Sequence, residues 1–315
     1  MERNKERHYL SLSKVLLATI LGGAVGFLLF VWDSEDAASR SFLQSDEGFA
    51  WLVVMVAQSA VWGLFFVLTW KKTLFLLIGA FKHHQRLRII SSLTLYLAAY
   101  MLLLWFPQQL VKNISSNELP GPLERNVPLA HFPVKNAIFF VVQVIVILLP
   151  VAGMWLADWR VRNGVILSGS EEECFSVFYE ARSYLLNIGA VLTTLMAFSF
   201  LGLVLWGKAL KPFVHFHWFS RPPLVIYGLY LTALVAIPYI PAYLNLLSAG
   251  RDLCDRFYPR LLPRAADYEN RDARRKRVDE MLGLPMQVRE GIKILTTILV
   301  PVVTSLVYAF LGLKQ

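Results

Sequence analysis

Charge is scarce in this 315-residue chain. Only 17% of its residues are Asp, Glu, Lys or Arg, where an average soluble domain has about 25%. Cysteine is nearly absent too. The two present, Cys174 and Cys254, exclude a disulfide framework. The most telling absence is local: no Asp, Glu, Lys, Arg or His lies within any of seven long apolar runs. An ionisable group at mid-bilayer costs about 2.5–3.5 kcal/mol on insertion scales and is kept where function needs it. A proton relay through buried carboxylates and an arginine-ladder voltage sensor are therefore both disfavoured. All six histidines fall outside the runs, which argues against a haem held between imidazoles inside the helices. No cofactor is expected.

What is there is apolar length. The runs are Val15–Trp32, Gly48–Trp70, Ile89–Phe106, Ala137–Ala157, Tyr184–Trp206, Leu224–Leu247 and Ile294–Leu313, each of 18 to 24 residues. A helix rises 1.5 Å per residue, so about 20 residues cross a hydrocarbon core of about 30 Å. Lipid offers the backbone no hydrogen-bond partner, so such runs must be helices. The expected fold is an all-α, polytopic transmembrane bundle of about seven spans, with short cytoplasmic helices. Residues 1–247 form most of the bundle, 248–293 a basic cytoplasmic segment, and 294–315 the last span and C-terminus. The nine apolar residues Thr73–Phe81 are too few to cross, and Lys71-Lys72 and Lys82 bracket them. They read as an interfacial or re-entrant turn of helix.

Lys and Arg set the orientation. Segments on one side of the spans hold 23 and those on the other hold 8 of the 31. By the positive-inside rule the N-terminus is cytoplasmic and the C-terminus external. Compact loops and the lack of a cleavable leader suggest a bacterial inner (cytoplasmic) membrane. A capping box at Ser170 and Glu173 predicts a cytoplasmic helix running through Phe178 straight into the fifth span. Asp267–Leu282 reads as a polar helix, with Asp272 and Lys276 paired one turn apart.

Few residues carry chemistry. Gly202 through Lys208 has the spacing of a phosphate-binding loop, but Ala209 stands where Ser or Thr is needed, and the run lies in a span. His215 and His217 could offer two imidazoles to copper or zinc, with His131 on the same membrane face. Spacing fixes no third ligand, so no metal is expected there. Asn113-Ile-Ser115 matches a glycosylation acceptor. Small residues at Ala18, Gly22 and Gly26, and again at Gly189, Thr193 and Ala197, form stripes for close helix approach, either within the chain or as an oligomer face. Gln58, Ser59, Gln143 and Asn187 are polar groups within spans. They serve interhelical hydrogen bonds or the lining of a pore or cavity. Asn245 is a further polar group, late in the sixth run. Pro150, Pro238, Pro241 and Pro301 are kink points. The run Arg274-Arg275-Lys276-Arg277 suits anionic lipid or an acidic partner, and the adjacent Asp272, Asp279 and Glu280 disfavour nucleic acid.

Three functions remain. The first is a non-enzymatic membrane protein that self-associates or binds a cytoplasmic protein partner, including a pore or channel-type effector. The second is a carrier for a neutral or apolar solute. A membrane-embedded enzyme comes last, because neither Ser59 nor Cys174 has an evident base beside it.

Overall fold

The computed structural model describes residues 12–81, 86–118, 128–162, 170–210, 221–259 and 268–282, with 299, 300 and 303. Every element among them is helical: α1 (Leu12–Val31), α2 (Ala37–Gln44), α3 (Asp46–Phe81), α4 (Arg86–Glu118), α5 (Phe132–Arg162), α6 (Glu171–Leu210), α7 (Arg221–Phe257) and α8 (Tyr268–Leu282). Among the described residues six helices, α1 and α3 to α7, are long and apolar enough to cross a membrane. They coincide with the first six expected spans. The seventh, Ile294–Leu313, lies outside the described residues but for three positions.

The helices overrun the apolar runs. α6 has 40 residues, roughly 60 Å at 1.5 Å per residue, about twice a hydrocarbon core. Its start is the predicted capping box. The Ser170 amide donates to Glu173 Oε2 at 3.3 Å, and the Glu173 amide donates to Ser170 Oγ at 3.4 Å. From there the helix passes through Phe178 into the apolar run without a break. One expectation is corrected. Thr73–Phe81 is no separate turn but the last part of α3, which continues through Lys71 and Lys72. Lys has good helix propensity and a long stem, so a basic pair need not end a helix. Likewise α4 runs on to Glu118 and carries Asn113 and Ser115 on helical backbone rather than in a loop.

The chain forms two compact units, each discontinuous in sequence. The first comprises residues 1–72, 106–149 and 198–220; the second comprises 73–105, 150–197 and 221–315. In the first, Phe30, Trp51, Trp62 and Phe139 build an aromatic core, with Phe30 5.0 Å from Trp51 and Trp62 4.3 Å from Phe139 between ring centroids. The outer face of α1 is apolar as well: Leu16, Leu17, Ile20, Leu21, Val25 and Leu28 are all more than half exposed. So large an exposed apolar face suits lipid rather than water. The opposite face of α1 holds the small residues. A Cβ at Gly22 would collide with the Ser59 carbonyl oxygen, and one at Gly63 would lie 3.0 Å from the Ala18 carbonyl carbon. The two helices approach backbone to backbone and run antiparallel, because Gly26 faces Ser59 while Ala18 faces Gly63.

The end of α1 is capped from α5. Lys135, fully buried, donates to the Trp32 carbonyl, to Ser34 Oγ at 2.9 Å and to the Phe30 carbonyl at 3.4 Å. A helix leaves its last carbonyls unpaired and negative, so an ammonium there satisfies both the hydrogen bonds and the helix dipole. In the second unit, the Thr73 and Tyr184 hydroxyls meet at 2.8 Å. Gly153 makes room for them, since a Cβ there would lie 2.9 Å from Thr73 Oγ1.

Candidate functional site

The polar groups of the spans separate into distinct clusters. In the first unit, α3, α5 and α6 bring Gln58, Gln143 and Ser199 together. Gln58 Nε2 donates to Ser199 Oγ at 3.2 Å, and Gln143 Nε2 donates to the same oxygen at 2.7 Å. A hydroxyl oxygen has two acceptor lone pairs, and here two amides use both. Gln58 is 1% exposed, yet its Oε1 has no hydrogen-bond partner. A buried acceptor left unpaired costs about 1–3 kcal/mol. One helical turn along the same face of α3, Trp62 Nε1 is a buried donor without a partner. Gly202 of α6 lies beside the site: a Cβ there would collide with Met55 and come into ordinary contact, at 3.5 Å, with Gln58 Oε1. The cluster therefore holds an unused acceptor, with an unused donor one turn away on α3, and no formal charge among the described residues.

Two of the four expected cavity residues, Gln58 and Gln143, thus share one site. The other two do not join it. Ser59 donates to the Met55 carbonyl at 2.9 Å and packs beneath Gly22 and Gly26, so it belongs to the α1–α3 contact. Asn187 is exposed on α6. Ser199 was missed in the sequence reading, because a lone serine in an apolar helix commonly bonds back to its own backbone.

The first small-residue stripe, and Gly189 of the second, have occupants within the chain. Ala18, Gly22 and Gly26 are covered by α3. Gly189 faces Tyr239 of α7, whose ring a Cβ would approach to 2.6 Å. Thr193 is buried and donates back to the Gly189 carbonyl at 2.9 Å, and Ala197 is half-buried.

This chain matches no family model, no curated protein and no solved structure.

Charge is missing from the middle of the spans but not from their rims. Asp158, one residue past the fourth apolar run, is buried on α5; its Oδ1 accepts from Asn245 Nδ2 of α7 at 2.6 Å and its Oδ2 pairs with Arg162 one turn on. Both oxygens are satisfied, as a buried carboxylate requires. Lys135 is its counterpart in the first unit. Sequence reasoning placed both in loops, since the helices extend a turn beyond the apolar runs.

The basic run lies on α8, which Arg275 holds in place. Its guanidinium reaches Asp255 Oδ1 at 2.5 Å and the Tyr258 carbonyl at 2.6 Å. Burial acts to lower its pKa, but two aspartates, 255 and 279, outweigh that and raise it above the ordinary guanidinium value. Arg182 donates to the Leu282 carbonyl at 2.9 Å and closes the C-terminal end of α8. Lys276 pairs with Asp272 at 2.9 Å, as the spacing predicts. Arg274 and Arg277 remain exposed. The phosphate-loop spacing from Gly202 to Lys208 lies wholly within α6, where backbone N–H groups bond along the helix and cannot cradle an anion. His215 and His217 lie outside the described residues. His131 Nε2 sits 2.9 Å from Asp33 Oδ2. No three His, Cys, Asp or Glu side chains among the described residues are grouped as a metal site would need.

Proposed function

We propose that this protein is a non-enzymatic carrier for a neutral, hydrogen-bonding solute, with Gln58, Gln143 and Ser199 as its binding groups. The single observation behind this reading is the unpartnered Gln58 Oε1 at the centre of an uncharged cluster drawn from three membrane-length helices. A buried acceptor is retained at a cost when something else pairs with it. A neutral site suits a neutral ligand, since a charged one would lose its hydration without a counter-charge. Self-association has less support, because Gly22, Gly26 and Gly189 of the stripes that suggested it face helices of the same chain. The distribution of Lys and Arg supports a cytoplasmic N-terminus and a cytoplasmic α8, and compact loops support a bacterial inner membrane.

The test is solute entry into proteoliposomes, followed by light scattering with urea, acetamide, glycerol and arabinitol. At least one should enter about tenfold faster than into protein-free vesicles. Gln58→Leu should cut the protein-dependent part of that entry, after the rate in empty vesicles is subtracted, by about 5-fold or more, the equivalent of a lost buried hydrogen bond of about 1–3 kcal/mol, with the melting temperature checked alongside. Entry no faster than in empty vesicles, or unchanged in a folded Gln58→Leu variant, would overturn the reading.

A further inference from the structure

Residue 238 of α7 is a proline, so the Leu234 carbonyl lacks the N–H that position would otherwise donate. Residue 107 of α4 is also a proline, and it frees the Leu103 carbonyl in the same way. In hydrocarbon a freed carbonyl must find another donor. Each finds a tyrosine on the other helix. Tyr100 of α4 donates its hydroxyl to Leu234 O at 3.0 Å, and Tyr230 of α7 donates to Leu103 O at 2.7 Å. The exchange is reciprocal. Tyr100 lies opposite Leu234 and Leu103 opposite Tyr230, so the two helices run antiparallel through the contact.

Filling a gap of this kind need not take a side chain from another helix. Water, a serine or threonine on the same helix, or a local change of helical pitch can also serve. Here one phenol from each helix closes the gap in its neighbour, and Tyr100 is 2% exposed. Its hydroxyl would itself be a buried orphan without Leu234. Proline is also where a helix bends most readily, and bending moves and reorients the freed carbonyl. Each hydrogen bond is therefore sensitive to the bend angle.

We propose that Tyr100 and Tyr230 are latches on two proline hinges: while both bonds are made, α4 and α7 hold one shape as a pair, and release of either hydroxyl frees its partner helix to bend at the proline. This does not depend on what the protein carries, because the hinge is in the backbone.

The decisive experiment uses the full-length protein in nanodiscs with Cys174 and Cys254 replaced by Ala. Spin labels go on α7 at Ile226 and Leu244, which are 58% and 54% exposed and lie either side of Pro238, about 27 Å apart along a helix. The unsubstituted chain should give one narrow distance. Tyr100→Phe should broaden it or shorten it. Pro238→Ala restores an N–H to Leu234 O, so in that background Tyr100→Phe should change nothing. Equal broadening whether Pro238 is kept or replaced would assign the effect to ring packing and overturn the latch, as would a narrow distance in Tyr100→Phe itself. Should Tyr100→Phe fail to fold, Tyr230→Phe provides the second reading on the less buried latch. Amide exchange in the turn of α4 after Leu103 should then be about tenfold faster, and unchanged exchange would overturn the proposal.

Discussion

Replacing Gly22 by alanine adds one methyl group where α1 and α3 meet. The new Cβ would collide with the backbone oxygen of Ser59 and lie 3.2 Å from its carbon and 3.3 Å from Ala60 Cα, tighter than the ordinary contact range that begins at 3.4 Å. All three atoms are backbone, so no side chain can rotate away. The helices must part by roughly 1 Å over the contact, and dispersion falls by a quarter to a half for a gap of about that size. Gly63 then also loses its contact with Ala18 and Gly22 on the next turn. Overpacking of this kind costs about 1–3 kcal/mol. Without a hydrophobic effect between helices in lipid, close packing is much of what joins them. The assay is reversible unfolding in bicelles, with subunit number measured by light scattering on the same samples. Gly22→Ala should lose about 1–3 kcal/mol with subunit number unchanged, whereas Val25→Ala, on the outer face at 62% exposure, should stay within about 0.5 kcal/mol. If Gly22→Ala were as stable as the parent, or shed a partner subunit at full monomer stability, the assignment of this stripe to α3 would be refuted.

Lys135→Met should cost about 1–3 kcal/mol by stranding the carbonyls at the end of α1, with faster amide exchange around Phe30; a variant as stable as the parent would show that the ammonium is dispensable. Asp36 caps α2, and its carboxyl is held below the ordinary 3.8 chiefly by a hydrogen bond from the Ser39 side chain; burial opposes this, and the Ser39 amide, 3.3 Å from Asp36 Oδ2, adds to the lowering. Because the folded value is the lower one, the cap's contribution is complete above pH 3.8 and is lost as pH falls through the folded pKa. A carbon-13 titration of Asp36 should show a midpoint below 3.8, and a midpoint at or above it would remove the cap.

The fold was legible where one dimension suffices. Apolar length against bilayer thickness gives six of the helices, and the capping box at Ser170 gives the true start of α6, because both are contests between a residue and its near neighbours along the chain. Helix ends were less legible. Lys71, Asn113, Lys135 and Asp158 all sit on helices that continue past the apolar runs, since hydropathy marks where lipid is and not where the backbone stops bonding to itself. At the candidate site, Gln58 and Gln143 stood out as polar groups in apolar helices, and Ser199 did not, because only its position opposite both amides distinguishes it from any other intrahelical serine.

Composition by itself determined that this chain is built of long apolar helices with no charge at mid-span, since hydrocarbon forces that outcome on any sequence of such runs. Only the tertiary structure decided which neighbour each helix takes. The glycine stripe on α1 was open to another subunit until α3 filled it. The carbonyls freed by Pro107 and Pro238 had no visible donor until Tyr230 and Tyr100 came to face them. The first pairing joins residues about forty positions apart and the tyrosine pairings join residues more than a hundred apart, and a spacing rule along one helix does not reach that far.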